Sequence, residues 1–317
     1  MSERTNIRTG VIGVGSLGQW HARIYSELPD TELVGVYDAD PARAAEIAAR
    51  YGTTTFETPE ALAEATDALS IVVPTDLHFE VFQRVLPYGA HMLVEKPISA
   101  TYEQAEQMVA LADQHKIILQ VGHVERFNPV MTFLNENLSR ARFIEATRLA
   151  PYPPPRDNAP PRGTEVSVVL DLMIHDLDII LRLANAPVKA VHATGVAVLS
   201  PTEDIANARI QFENGCVANV TASRISQEKL RKIRVFQDDT YLSLDYMEQA
   251  GQLCRRSATG IAVDTVPIDK SEPLAAELQS FLTCVQHRHE PVVTAQHGTE
   301  ALRLAIAICQ TIRENPS

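Results

Sequence analysis

The stretch HMLVEKPIS, His91 to Ser99, runs an apolar strand straight into Glu95, Lys96 and Pro97. Proline fixes the backbone immediately behind the lysine, so the fold aims this ammonium. Glu95 can position the ammonium or solvate it. A second constellation lies in TEVSVVLDLMIHDLDIILRLANA, Thr164 to Ala186. At about 100° per residue, Asp171, His175, Asp178 and Arg182 fall on one narrow face of a helix that is otherwise apolar. Asp171 precedes His175 by one turn, near enough to orient the imidazole and favour its protonated form. A histidine held by a carboxylate suits a general base that removes a hydroxyl proton, and an ammonium suits the oxyanion that develops. The residues alone leave plainer readings open: a lysine snorkelling from a strand end, and a satisfied polar network supporting a buried helix.

A third feature supplies a partner for such chemistry. In IRTGVIGVGSLGQW, Gly13, Gly15 and Gly18 are spaced G-x-G-x-x-G, with Ser16 and Leu17 completing the turn between a strand and a helix. The first glycine allows a tight turn, the second lets backbone approach a pyrophosphate, and the third lets the helix pack on the sheet. The next strand, TELVGVYDAD, ends at Asp38, about 20 residues beyond the turn, where an acid can accept hydrogen bonds from an adenosine ribose diol. It also repels a 2′-phosphate, so NAD is preferred over NADP as cofactor.

These pieces need a scaffold. Strand and helix alternate through the first 122 residues: PARAAEIAARYG, ALSIVVPT, LHFEVFQRVLPYG, AHMLVEKP, TYEQAEQMVALADQHK and IILQVGH follow in turn. Single helices between strands imply an α/β Rossmann domain with a doubly wound parallel sheet, which binds ligands outside the carboxyl ends of its strands. Pro74, Thr75 and Lys96 sit at such ends, with His78 just beyond. From residue 123 to 317 the pattern becomes α+β: a long helix, about Glu165 to Ala184, then strand-like segments forming a mostly antiparallel sheet with one open face. ENG at Glu213 and QDD at Gln237 read as hairpin turns. Two amphipathic C-terminal helices follow, the last able to pack back on the first domain.

Composition narrows the function classes. The 317 residues favour two domains. A net charge of −12 argues against a nucleic-acid binder, which needs a basic face. The N-terminus lacks the apolar core of a signal peptide and no apolar run approaches a membrane span, so no membrane association is expected. Cys216, Cys254, Cys284 and Cys309 are far apart and form no C-x-x-C, so neither a metal site nor a disulfide framework is expected, and a reducing cytoplasm fits. No internal repeat is present. APYPPPRDNAPPRG, Ala150 to Gly163, reads as a stiff extended loop.

Taken together, GVGSLG, the Pro74–Thr75–His78 region, EKP at Glu95 to Pro97 and DLMIH at Asp171 to His175 resemble the Gfo/Idh/MocA oxidoreductases along the whole chain. The resemblance implies that Lys96 and His175 flank a reacting carbinol, with Asp171 supporting the histidine. The glycine turn, Asp38, Pro74, Thr75, His78, Glu95 and Lys96 would hold NAD. VGHVERFNP, SVVLDLMIHDLDI and NGCVANVTASRIS further resemble the bacterial UDP-N-acetylglucosamine 3-dehydrogenase branch, which supplies 3-oxo sugars for an aminated lipid A precursor. That implies a UDP-sugar substrate held by Lys96, His175, Arg126, Asn128 and Arg162. Arg126, Arg148, Arg156 and Arg162 are the cations available to a diphosphate, at least half of them ordinary solvated arginines. A homodimer or homotetramer is implied as well. The rival readings are another sugar or polyol, such as an inositol, an aldose or a UDP-hexuronic acid, a glycosidase of the same family that recycles NAD in place, and a nucleotide sensor without turnover. Intact Lys96, Asp171 and His175 speak against the sensor.

Overall fold

The computed structural model of the protein describes residues 6–155 and 161–315. The chain forms two compact units. One comprises Met1–Val124 and Glu272–Thr299, the other Glu125–Ser271 and Glu300–Ser317.

The first unit alternates as expected: β1 (Ile7–Ile12), α1 (Gly18–Glu27), β2 (Thr31–Tyr37), α2 (Pro41–Tyr51), β3 (Thr54–Thr55), α3 (Pro59–Glu64), β4 (Ala68–Ile71), α4 (His78–Val85), β5 (His91–Glu95), α5 (Tyr102–His115) and β6 (Leu119–Gly122). The strands form one six-stranded sheet in the order β3-β2-β1-β4-β5-β6, and every pairing is parallel. β4 and β5 are buried along their whole length, as strands covered on both faces must be. Helix starts are written locally. Asp40 accepts from the Ala42 and Arg43 amides at the start of α2, Thr101 caps α5, and Gly52 ends α2 in the left-handed region. The short β3 and α3 go beyond the sequence pattern, being too brief to show a period.

The second unit holds α6 (Pro129–Asn137), β7 (Phe143–Leu149), α7 (Ile174–Ala184), β8 (Val188–Val196), β9 (Ile205–Phe212), β10 (Val217–Ser223), β11 (Leu230–Phe236), β12 (Thr240–Asp245), β13 (Ala250–Ser257) and β14 (Gly260–Val266). Its eight-stranded sheet runs β14-β13-β12-β11-β7-β10-β9-β8. Only β7 and β10 pair in parallel, and the two expected hairpins join β9 to β10 and β11 to β12. One face packs on α7, with Ile144, Ala208, Ile210, Val220 and Ile233 meeting Ile174, Leu177 and Ile180 in a single core. The other face is lined by polar pairs, Asn207 with Thr221, Arg209 with Asn219 and Glu145 with Arg234, beside an aromatic group of Phe143, Phe236 and Tyr241. Two helices close the chain, α8 (Pro273–His287) and α9 (Ala295–Glu314). Leu278, Phe281 and Leu282 of α8 join the core that Val11, Tyr25 and Leu93 build in the first unit.

The long helix differs from its expected form. It begins at Val168, slightly later than Glu165, and is not a single α-helix. Thr164 to Val166 form a turn, Ser167 accepts the Val169 amide with its hydroxyl, and a π turn spans Val169–Met173 before α7 proper. Among the described residues, no helix is long and apolar enough to cross a membrane.

Candidate active site

The three glycines of the first turn have three different physical reasons. Gly13 has φ +86°, and a methyl group there would lie 2.6 Å from the Val72 carbonyl oxygen. At Gly18 a methyl would fall 1.8 Å from the carbonyl oxygen of Gly13. Gly15 is different: a methyl there would meet nothing within 4 Å, and the residue is exposed. No protein atom requires glycine at position 15, and its bare backbone leaves the turn open to close approach by a ligand. α1 starts just behind, with Leu17 at its cap position and no side chain satisfying its amides. Uncapped amides at a helix N-terminus favour an anion such as a pyrophosphate. The turn therefore fits NAD, with Gly15, Ser16 and Leu17 as the approach surface. Asp38 is oriented by two backbone donors, the Val14 amide at 2.7 Å and the Asp40 amide at 3.0 Å. Arg43 lies across the same turn, donating to the Val14 carbonyl at 2.9 Å.

At the end of β5, Lys96 is half-buried while Glu95 and Pro97 are buried. Glu95 faces inward: Oε1 is 3.2 Å from His21 Nε2, and Oε2 accepts the Lys96 amide at 3.2 Å. A methyl at Gly122 of β6 would strike this carboxylate at 2.9 Å, so glycine there makes its room. Burial alone would raise the Glu95 pKa, but His21 and Lys96 hold it below its usual value. At the end of β4, Pro74 is exposed and Thr75 half-buried. His78 is only 1% exposed. Its Nδ1 lies 2.8 Å from the Pro97 carbonyl oxygen and its Nε2 3.0 Å from that of Val73. Both ring nitrogens face backbone, so His78 grips the lysine segment instead of offering a group to a cofactor. Burial lowers its pKa, against the two carbonyls and Glu95.

In the second unit the expected polar stripe comes apart. The π turn breaks the 3.6-residue register between Asp171 and the residues after it, as an i→i+5 turn does. Asp171 and His175 are half-buried, Asp178 is buried against Arg126 at 3.3 Å, and Arg182 is exposed. Asp171 packs on Gly163, whose φ is +80° and where a methyl would lie 2.5 Å from Oδ2. Gly163 is held in turn by Arg224, 2% exposed, which donates to its carbonyl, to that of Val166 at 2.9 Å and to Asp204 at 2.9 Å. Burial would raise the Asp204 pKa, but hydrogen bonds from Ser200, Leu199 and Arg224 hold it well below the carboxylate range.

Two of the four cations expected to meet a diphosphate are engaged elsewhere. Arg148, 2% exposed, forms a two-point pair with Asp176 at 2.7 and 3.2 Å and donates to Glu125 at 3.0 Å. These carboxylates outweigh burial and raise its pKa. Arg126 pairs with Asp178 as described. Asn128 caps α6 through the Val130 amide and donates to Glu125 and to the Tyr246 carbonyl, which uses all its polar atoms internally. Arg162 is exposed, and Arg156 lies outside the described residues. The residues that the sequence left unmarked are His21, Ser70 and Tyr25 behind Glu95, and Gly163, Asp204 and Arg224 behind Asp171. His21 and Tyr25 do carry a signal, two polar side chains one turn apart on the sheet-facing side of α1. Nothing local marks Arg224. Among the described residues no cluster could hold a metal ion, and all four cysteines are free and buried.

Residues 7–123 match the Gfo/Idh/MocA model described as an oxidoreductase family with an NAD-binding Rossmann fold, and residues 135–242 match the Gfo/Idh/MocA C-terminal domain. UDP-N-acetylglucosamine 3-dehydrogenase of Acidithiobacillus ferrooxidans is 37% identical over 294 residues, covering 90% of this chain and 91% of its own. A solved structure of that enzyme superposes with a TM-score of 0.92 at 35% identity, over 97% of this chain and 98% of its own. The NAD-dependent scyllo-inositol 2-dehydrogenase of Bacillus subtilis is 26% identical, covering 97% of this chain and 94% of its own. The protein is an NAD-dependent oxidoreductase, and the chain belongs to the Gfo/Idh/MocA family.

Proposed function

We propose that the protein oxidises a secondary alcohol of a sugar, the 3-hydroxyl of UDP-N-acetylglucosamine, to the ketone. One observation carries this reading: the 37% identity to an enzyme of that activity, maintained over nine-tenths of both chains. When bound, NAD supplies the hydride acceptor. His175 takes the hydroxyl proton, and Asp171, seated against Gly163, orients its imidazole. Lys96, at the end of β5, donates a hydrogen bond to the oxygen as negative charge builds there. The glycine turn holds the pyrophosphate and Asp38 the adenosine ribose. With Arg126 and Arg148 paired internally, exposed Arg162 is the candidate for the substrate diphosphate. A free polyol is the second reading, favoured by the similarity to inositol dehydrogenases, which also extends over the whole chain. A homo-oligomer built on the outer face of the eight-stranded sheet, where Phe143, Phe236 and Tyr241 cluster, belongs to the same proposal and is checked by light scattering. The substrate is tested by NADH formation against a panel of UDP-sugars and free polyols. UDP-N-acetylglucosamine should give the highest kcat/KM, and a free inositol preferred over every UDP-sugar would refute the assignment.

A further inference from the structure

The apolar interior of the first unit contains a line of polar side chains that neither the glycine turn nor the sheet requires. His21 and Tyr25 of α1 are fully buried. Ser70 of β4 joins them, its Oγ 3.0 Å from His21 Nδ1 and 2.9 Å from the Tyr25 hydroxyl. The line continues through His21 Nε2 to Glu95, and from Glu95 to the backbone amide of Lys96. From the other side His78 places Nδ1 2.8 Å from the Pro97 carbonyl and Nε2 3.0 Å from that of Val73, just beyond β4, and the neutral ring donates its one proton to the Pro97 carbonyl in the Nδ1–H tautomer.

Burying such groups is expensive. Buried ion pairs and polar networks are often matched or bettered in stability by apolar residues of similar volume, so stability alone is a weak reason to keep them. What these two sets of contacts share is one dipeptide. Glu95, with Oε1 3.2 Å from His21 Nε2, accepts the amide of Lys96, and His78 holds the carbonyl of Pro97. The Lys96–Pro97 backbone is thus held at one end by Glu95 of its own strand, which His21 of α1 contacts, and at the other by His78 of α4.

We propose that His21 and His78 are positioning residues for Lys96, with Glu95 the link through which His21 acts. They fix the Lys96–Pro97 backbone so that the ammonium meets the developing oxyanion. This inference rests on the catalytic reading of Lys96 given above. A displacement of about 1 Å at a reacting group can cost a hundredfold in rate, and a long, flexible lysine side chain gains most from a fixed root.

The test is a double-mutant cycle. His78→Leu, His21→Leu, Lys96→Ala and the two doubles are assayed for kcat and KM on whichever panel sugar the wild type oxidises. NADH affinity and Tm are measured alongside. Each histidine variant should lower kcat about 10–100-fold, with NADH affinity and KM nearly unchanged. In the Lys96→Ala background neither should lower it further by more than about twofold. His78→Asn, whose side-chain nitrogen stands where Nδ1 stood and keeps a donor for the Pro97 carbonyl, should recover most of the loss. Should a leucine variant fail to fold, His78→Gln, whose amide reaches the Nε2 position facing Val73 and not the Nδ1 position facing Pro97, carries the same test. Multiplicative losses in the Lys96→Ala background would overturn the proposal. So would a lowered Tm with wild-type kcat, or a loss tracking NADH affinity. Wild-type turnover by Lys96→Ala alone would instead refute the reading of Lys96, before any histidine variant is considered.

Discussion

Gly15 and Gly18 separate the binding of NAD from the folding of its turn, and replacing each by alanine exposes the difference. At Gly18 the new methyl falls 1.8 Å from a backbone oxygen that cannot move without opening the turn. Overpacking of this kind costs about 1–3 kcal/mol or more, which lowers Tm by several degrees without any ligand. At Gly15 the methyl meets nothing, and the loss of chain entropy in the unfolded state makes the apoprotein equally stable or about 0.4–1 kcal/mol more so. The same methyl occupies the surface where the pyrophosphate approaches. If NAD affinity weakens about a hundredfold, NAD added at 100 times the wild-type Kd, worth about 2.7 kcal/mol to the wild type, is worth only about 0.4 kcal/mol to Gly15→Ala. Thermal melts of both variants with and without NAD, together with NADH fluorescence titrations, give both quantities. Gly15→Ala should keep its apo Tm and lose most of the NAD-induced rise, whereas Gly18→Ala should lose apo Tm. A Gly15→Ala protein that binds NADH like the wild type, or one destabilised as much as Gly18→Ala, refutes this account of the turn.

Asp38→Ala should narrow the preference for NAD over NADP, measured as the ratio of their Kd values; equal wild-type affinities would contradict the role of Asp38 and direct attention to Arg43, which lies on the same turn. Gly163→Ala, strained at φ +80° and pushing on Asp171, should lower kcat about tenfold or more while leaving the NADH Kd unchanged, and unchanged turnover would detach Asp171 from the mechanism. His91 is held neutral in the fold, its pKa lowered to about 4 by burial and by Arg288, while its Nδ1 accepts the Ile118 amide at 2.9 Å. The unfolded chain therefore takes up a proton near pH 6.5 that the folded chain refuses until about pH 4. This contribution to stability is present above pH 6.5 and is lost as pH falls toward 4. His91→Asn, whose side-chain oxygen can accept the same amide, should flatten the fall in chemical-denaturation stability across that window, and an unaltered slope would count against it.

Much of the first unit is legible because its elements are long enough to repeat. β4 and β5 are continuous apolar runs, and Asp40, Gly52 and Thr101 punctuate the helices by residue type alone. Asp38 and the three glycines stand where the spacing places them, but the spacing does not reveal that Gly13 and Gly18 answer to protein atoms and Gly15 to none. His78 reads as a ligand contact from its place beyond a strand end. Its burial between two carbonyls depends on where β4 and β5 lie side by side, which no local pattern contains. The helix of Asp171 and His175 reads as uninterrupted for a related reason. A constant rotation per residue cannot represent a π turn, and the apolar run continues across it unbroken. Arg148 reads in sequence as a cation open to a diphosphate or to solvent and nothing marks Arg224, yet both are buried because a carboxylate distant in the chain meets each of them, Asp176 in one case and Asp204 in the other.

On the proposed function, hydride leaves the third carbon of UDP-N-acetylglucosamine. UDP-N-acetylglucosamine carrying deuterium at that carbon tests it directly, with the label followed by mass spectrometry of the nicotinamide product. The account requires one deuterium per turnover in the reduced cofactor and none left in the sugar, with the transfer slowed by roughly two to four orders of magnitude in His175→Ala. Turnover that leaves the deuterium on the sugar, or no reduction of NAD by this substrate while another alcohol is oxidised, would contradict it.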